Sequence, residues 1–446
     1  MREGSLDAPV RHPIDWQNPD FTDPAKLEAE MRRVFEACHG CRLCFNLCDS
    51  FPRLFDLVDA AGDAELAGVK TADFKRVVDA CTLCDLCFMT KCPYVPPHEW
   101  AIDFPHLMLR ARATEAKTKG IGRWDRALAE TDRNGKLGCN FAGLANWATD
   151  VKNRPARALM EKVAGVHREA ALPKFNVETF VKAARYDIPR VNETAPAFGR
   201  KAAIYATCFG NYNAPAIGAA LRRVLAHNGV ATEVVYPGCC GMPQLEQGEI
   251  ARVAESARAV ARELRPWIDA GHDIVALVPS CALMMKFEWP LIVPDDENVK
   301  ALARATRDAA EYIVAIAKKE GLAPGLGALD GGVTLHIACH ARAQNVGHKA
   351  AELLRLIPGI DLKVIERCSG HGGSWGVKKE NFEVALKIGK PVAREAVRAG
   401  KTYVASECPL AGLHILQGME RIEGAGPPPE AAPHPVELFA KAYGLA

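Results

Sequence analysis

Eight cysteines between residues 38 and 92 fall into two tight runs. The first, CHGCRLCFNLC, spaces Cys38, Cys41, Cys44 and Cys48 as C-x2-C-x2-C-x3-C. The second, CTLCDLCFMTKCP, spaces Cys81, Cys84, Cys87 and Cys92 as C-x2-C-x2-C-x4-C-P, one residue longer before its last cysteine. A loop that brings three thiolates to three corners of one small iron–sulfur cube needs this tight spacing, and Gly40 helps the first run to turn. Zinc also favours C-x2-C pairs, but two successive four-cysteine runs that share the third C-x2 step read as [4Fe–4S] clusters. Their chemistry is electron transfer.

The same spacing is the signature of bacterial two-cluster ferredoxins, in which the fourth cysteine of each run ligates the other cluster. Carried over, that rule groups Cys38, Cys41 and Cys44 with Cys92, and Cys81, Cys84 and Cys87 with Cys48. Pro93 follows Cys92 as the pattern asks, whereas Asp49 follows Cys48.

Seven further cysteines lie beyond residue 200. Cys208, the adjacent pair Cys239 and Cys240 in PGCCG, and Cys281 make one set of four thiols, with Gly241 permitting the unusual backbone that aims the pair at a common group. Cys339, Cys368 and Cys408 make a second set, in which Ser369 stands where Cys240 stands in the first. His336, His340 and His371 are candidates to complete it. A cubane with one non-cysteine ligand, a zinc or iron ion, and a packing remnant all suit that second set. Lone Cys139 reads as a buried small side chain, and Trp375 and Gly376 as residues that pack their loop.

The elements that position these residues follow from periodicity. PAKLEAEMRRVFEAC, after Asp23-Pro24, has helical spacing and delivers the chain to Cys38; a stretch around ADFKRVVDAC delivers it to Cys81. Residues 98 to 119 read as a helix leading out of this module. From residue 200, strand and helix alternate, and they do so twice. AAIYAT, ATEVVY and DIVALV run into Cys208, the PGCCG turn and Cys281; VTLHIA, DLKVIE and TYVAS run into Cys339, the RCSGHGGSWG turn and Cys408. The intervals match: 31 residues from 208 to 239 against 29 from 339 to 368, and 41 from 240 to 281 against 40 from 368 to 408. A duplicated βαβαβ unit is the simplest reading. It places the cysteines beyond the carboxyl ends of parallel strands, where open α/β sheets bind ligands. The expected architecture is therefore α/β: a helical two-cluster module at 1–119, a helical connecting region at 120–199, a first repeat at 200–320 and a second repeat with the tail at 321–446.

Composition narrows the function classes. At 446 residues the chain exceeds what one core supports. Its 49% apolar and 25% charged residues are those of a folded globular protein. A net charge of +2 without a polybasic block argues against nucleic acid as a partner. No stretch approaches ~18 uncharged apolar residues, and the first residues lack the apolar core of a signal peptide, so a cytoplasmic protein without a transmembrane segment, at most peripheral to the inner face of the membrane, is expected. Sixteen cysteines in such a compartment call for metal rather than disulfides. No G-x-G-x-x-G opens a helix after a strand, so neither flavin nor nicotinamide is expected on this chain.

Taken together, the two ferredoxin-type runs and the PGCCG repeats resemble the iron–sulfur C subunits of anaerobic glycerol-3-phosphate dehydrogenases and a fusion of the C and B subunits of heterodisulfide reductase, the CCG-domain family. The resemblance spans residues ~30 to 110 and 200 to 418. It implies a subunit of an oxidoreductase complex that relays electrons between a flavoprotein or other redox partner and an acceptor such as membrane quinone. Two [4Fe–4S] clusters would be joined by a further iron–sulfur cluster at the first repeat. In the B subunits of heterodisulfide reductases the corresponding cysteine sets end in C-x2-C, but here Met284 and Ala411 occupy the last positions. A four-thiolate site is therefore the better carry-over. The alternative implied by the same resemblance is an enzyme that reduces a disulfide or another small oxidised substrate at the repeats.

Overall fold

The computed structural model describes residues 4–445. The helix Pro24–Cys41 starts where the sequence indicates: Asp23 caps it by accepting the Lys26 N–H at 2.8 Å, and Pro24 fills the first turn, where no N–H partner is needed. Leu27, Met31, Val34 and Phe35 form its buried stripe. The helix does not stop at Cys38. It carries Cys38 and Cys41 one above the other on its last turn and ends at Arg42 in the left-handed region. A further helix, Ser50–Ala60, buries Phe51, Leu54, Phe55 and Val58, and Lys75–Ala80 brings the chain to Cys81. The exit helix is Phe104–Lys119 rather than 98 to 119, because Ala101 takes a positive φ (44°) that breaks the helical run and Asp103, accepting the His106 N–H, sets the cap.

Among the described residues seven strands form two parallel sheets. β1 (Lys201–Tyr205), β2 (Ala231–Val235), β3 (Asp273–Ala276) and β4 (Thr306–Asp308) lie in the order β2-β1-β3-β4. β5 (Val333–His336), β6 (Leu362–Ile365) and β7 (Tyr403–Ser406) lie in the order β6-β5-β7. Strand for strand, β6-β5-β7 repeats β2-β1-β3. The helices Pro215–His227 and Ile250–Asp269 in the first unit answer to Lys349–Leu354 and Phe382–Ala399 in the second. β4 has no counterpart.

The sheet of the first repeat divides the molecule's two large cores. Side chains alternate across a strand, and here Ala203, Tyr205, Ile274 and Ala276 face one core while Ala202, Ile204 and Val275 face the other. The first core also holds Phe35, Phe51, Phe104 and the buried Trp289, so the cysteine-rich module packs directly on this repeat. The second core holds Leu335 of β5 and Phe439 of the C-terminal helix Pro435–Ala442, so the second repeat packs on the opposite face. A buried charge cluster pins the N-terminal segment to both neighbours: Arg11 pairs with Asp85 and Asp103, both at 2.8 Å, and with Glu288 at 2.9 Å.

Candidate redox site

Cys38, Cys41, Cys44 and Cys92 line one small cavity walled by Phe51, Phe55, Tyr94 and Ile102. Burial, reinforced by the neighbouring thiols, pushes Cys38 well above the ordinary thiol value, and Cys44 up to about 12. Burial likewise pushes Cys92 up to about 11. Thiols buried in an apolar pocket resist ionisation unless a cationic group shares their charge. The donor set and its dry walls fit a cluster.

The other four cysteines of this module form a second group. Burial raises Cys48, and the next contributions come from Cys84 and Cys81; Cys87 is raised by burial and then by Cys84, Cys81 and Cys48. The fourth cysteine of each run thus lies with the other run. Arg112 reaches in from the helix Phe104–Lys119, donating to the carbonyls of Val78 (2.9 Å), Cys81 and Glu246 (3.0 Å). It ties the second run to the first repeat.

In the first repeat, Cys208 opens the short helix Cys208–Tyr212 after β1, the Cys239–Cys240 pair follows β2, and Cys281 lies on Pro279–Leu283 after β3. Gly241 supplies the left-handed turn (φ 81°) that follows the pair. Thiol hydrogen bonds link Cys208 to Cys239, Cys239 to Cys240 and Cys240 to Cys281. Cys239 is the acidic member of the row: the Cys208 and Cys240 thiols donate to it, overcoming its burial, and the Thr131 hydroxyl (3.2 Å) and the Gly241 N–H (3.5 Å) add to the effect. Tyr205 donates to the Gly238 carbonyl, and the Trp289 Nε1–H donates to the Cys240 carbonyl at 3.1 Å. Both hold the turn in place.

Two contributors to this site come from the connecting region, to which the sequence assigned no chemistry. Thr131 and Asp132 begin the helix Thr131–Asn140. Asp132 accepts the Cys239 N–H at 3.1 Å and the Tyr236 hydroxyl. Neither residue belongs to a motif, and their partners lie more than a hundred residues away. The same helix carries Cys139, which is buried with its thiol 3.5 Å from the Tyr212 carbonyl.

The second set is not gathered as the sequence suggests. The Cys339 thiol hydrogen-bonds both Cys368 and, across to the N-terminal module, Cys84. Cys368 is drawn down to about 7 by the Cys339 thiol and, despite burial, by the Gly370 N–H at 3.3 Å. Cys408 makes neither contact. Burial raises it, and the cysteine in its field is Cys281 of the first repeat. Of the three candidate histidines, His336 has Nδ1 on the Ser406 hydroxyl and Nε2 on the Arg367 carbonyl, both at 3.0 Å, and burial lowers it to about 4. His340 joins three parts of the chain, with Nδ1 2.8 Å from the Ser280 hydroxyl and Nε2 donating to the Leu83 carbonyl at 3.4 Å. His371 alone keeps a buried Nε2 without a partner. Among the described residues no group of three or more His, Cys, Asp or Glu side chains is drawn together as a single-ion site, in this set or in the others.

The model of the 4Fe-4S dicluster domain matches residues 37–95, and that of the cysteine-rich (CCG) domain matches twice, at 202–286 and 333–415. The chain is a CCG-domain iron–sulfur protein. Its dicluster domain implies two [4Fe–4S] clusters, and its two CCG domains cover β1 to β3 and β5 to β7, leaving β4 outside. This CCG-domain protein is related to the C subunit of the anaerobic glycerol-3-phosphate dehydrogenase of Escherichia coli (strain K12), 28% identical over 343 residues that cover 75% of this chain and 81% of the relative. It is 27% identical to the B subunit of the fumarate reductase (CoM/CoB) of Methanothermobacter marburgensis over 51% of this chain and 44% of that one. To lactate utilization protein A of Lysinibacillus sphaericus it is 33% identical, over 32% of this chain and 63% of that one. Among the described residues no helix is long and apolar enough to cross a membrane.

Proposed function

We propose that this CCG-domain protein is the electron-transfer subunit of an oxidoreductase complex. It would relay electrons between a flavoprotein or other redox partner and an acceptor such as membrane quinone. Cys38, Cys41, Cys44 and Cys92 would hold one [4Fe–4S] cluster, Cys81, Cys84, Cys87 and Cys48 the other, and Cys208, Cys239, Cys240 and Cys281 a further iron–sulfur cluster. When bound, these groups supply one-electron exchange. The observation that carries the proposal is how the cysteine sets approach one another. Cys87 lies in the field of Cys44, Cys339 bonds Cys84, and Cys408 lies in the field of Cys281, although Cys408 stands apart from Cys339 and Cys368. Cys339, Cys368 and Cys408 occupy the stretch between the dicluster module and the first CCG domain, and His371 has the nitrogen free to join them.

The chain's own residues do the rest. Phe51, Phe55 and Tyr94 exclude water from the first group, and the Thr131 hydroxyl and the Gly241 N–H stabilise negative charge on Cys239. Hydrogen bonds to a ligating sulfur raise the potential of the group it holds. Thr131→Val should therefore shift the reduction midpoint assigned to the first CCG domain to more negative values and leave the dicluster midpoints in place, in a titration followed by electron paramagnetic resonance.

The ligand assignment is tested by Cys240→Ser. Anaerobically purified variant should lose the iron of the first CCG domain and keep the dicluster signals. Full iron content in the variant would refute the assignment. The relay itself is tested on the parent protein, reduced chemically and then mixed with small disulfides. A relay protein stays reduced without its partner, whereas spectral change on adding a disulfide would favour a substrate-reducing enzyme.

A further inference from the structure

The turn RCSGHGGSWG does more than carry Cys368. It is seated between the dicluster module and the first repeat, and its glycines make the fit. A Cβ on Gly372 would stand 2.6 Å from Thr82 Cγ2, and one on Gly373, at φ +61°, would stand 2.7 and 2.9 Å from the two carboxyl oxygens of Glu246. Trp375 fastens the turn by donating its Nε1–H to the Asp79 carbonyl at 2.8 Å. Beside it lies a cavity of about 480 Å³ where the dicluster module, the exit helix and both repeats meet. Lys75, Asp79 and Glu380 are exposed at its rim, and Cys81, Arg112 and Glu246 belong to its wall. A polar cavity of this size that reaches the surface admits water.

Most of the charges lining the cavity are spent on neighbours. Lys75 pairs with Asp79 at 2.9 Å and with Glu115 at 2.8 Å, Lys378 with Asp125 at 2.6 Å, and Arg53 with Asp49 at 2.6 Å. The Glu246 carboxyl differs: among the described residues it forms no hydrogen bond and no salt bridge. Burial lifts it to about 7, and the fields of Arg112 and Lys378 only partly oppose that rise. Arg112 also connects it to the second cysteine run, since the guanidinium that donates to the Glu246 carbonyl at 3.0 Å donates to the Cys81 carbonyl as well. An unpartnered carboxyl with water on one side and a cluster-bearing loop nearby responds to charge placed on that loop.

We propose that Glu246 is a proton acceptor coupled to the cluster held by Cys81, Cys84, Cys87 and Cys48. When that cluster gains one electron from another group of the relay, the added negative charge draws one proton from solvent, through the cavity, onto the Glu246 carboxylate. When the electron moves on, the proton returns by the same route. One electron and one proton thus enter and leave together, and the module conducts without gathering net charge in its interior. The inference rests on the electron-relay reading, through its assignment of these four ligands.

The test is a redox titration of the full, cluster-loaded chain, followed by electron paramagnetic resonance at several values between about pH 6 and about pH 9. One dicluster midpoint should move to more negative values as pH rises above about 7, because proton uptake favours the reduced form, while the other stays in place. If reduction tightens the proton about tenfold, the movement totals about 59 mV for a one-electron couple. E246Q, which cannot take the proton, should hold both midpoints constant with pH. The parent supplies a second readout that no substitution disturbs. Its reduced-minus-oxidised infrared difference spectrum, slightly above neutral pH, should gain a protonated-carboxyl band that shifts in deuterium oxide. Dicluster midpoints independent of pH in the parent, or a pH dependence that survives in E246Q, would overturn the proposal. Absence of the carboxyl band would overturn it even if E246Q failed to assemble. Dicluster signals missing from the parent would overturn the ligand assignment itself, and this inference with it.

Discussion

Arg11→Ala should cost about 3–5 kcal/mol of unfolding free energy near neutral pH, read by chemical denaturation of the parent and variant side by side. The side chain is 12% exposed and its partners Asp85 and Glu288 are 6% and 4% exposed, so water cannot replace it. His106, 3.1 Å from Glu288 and 3.3 Å from Asp103, remains as a poor substitute. The pH dependence follows from the carboxylates. Burial by itself would raise Asp103, but His106 and Arg11 bring it down to about 2; for Glu288 the order is Arg11, then His106, with the same result. A carboxylate depressed in the folded state stabilises it fully above its unfolded value of ~4, and that contribution fades as pH falls through the folded value. The gap between parent and variant should thus be widest at neutral pH and narrow between about pH 4 and pH 2. A gap that does not change over that window would show that Arg11 acts by packing alone.

Gly370→Ala should be nearly as damaging, at about 3 kcal/mol or more. Gly370 sits at φ +79° in the turn after Cys368, and a Cβ there would stand 2.0 Å from the Ala385 carbonyl oxygen and 2.9 Å from the Gly389 nitrogen. Both are backbone atoms of the helix Phe382–Ala399, so no rotamer change relieves the contact. The turn would have to lift off the helix, taking with it the Gly370 N–H that points at Cys368. Gly424→Ala is the matched control: it has nearly the same φ, +75°, with nothing within 4 Å, and should cost only about 1 kcal/mol. Thermal unfolding of the two variants separates the backbone collision from the strain of φ. Equal melting temperatures would mean that the turn is not seated on the helix.

Much of this molecule is legible in its sequence because the chemistry and the periodicity coincide. The cysteine spacing names the dicluster module, and each strand except β4 runs into a cysteine within a few residues. What escapes is what no local pattern encodes. β4 is three residues, Thr306, Arg307 and Asp308, too short and too polar to show alternation. Arg11 lies in an unremarkable segment, and its partners are 74 to 277 residues away. Thr131 and Asp132 look like any helix start until the fold sets them against Cys239. Matching intervals correctly suggested a duplicated unit, yet equal spacing does not mean equal surroundings: Cys281 bonds Cys240 of its own set, whereas Cys408 bonds neither Cys339 nor Cys368. His336 and His340 illustrate the same point, since both ring nitrogens of each are spent on hydrogen bonds that only the folded chain provides.

The division of the interior by the first repeat's sheet has a mechanical consequence. A protein whose cysteine-rich module and second repeat are moulded onto opposite faces of one sheet holds neither on a swinging arm. Residues such as Arg112 and His340 lock the seams. Under the proposed relay function, every separation that governs charge hopping would be set once, when the chain folds, and not renewed by diffusion in each cycle. Such a molecule would work as a fixed wire, so changes in its conduction would come from altered potentials and not from altered motion.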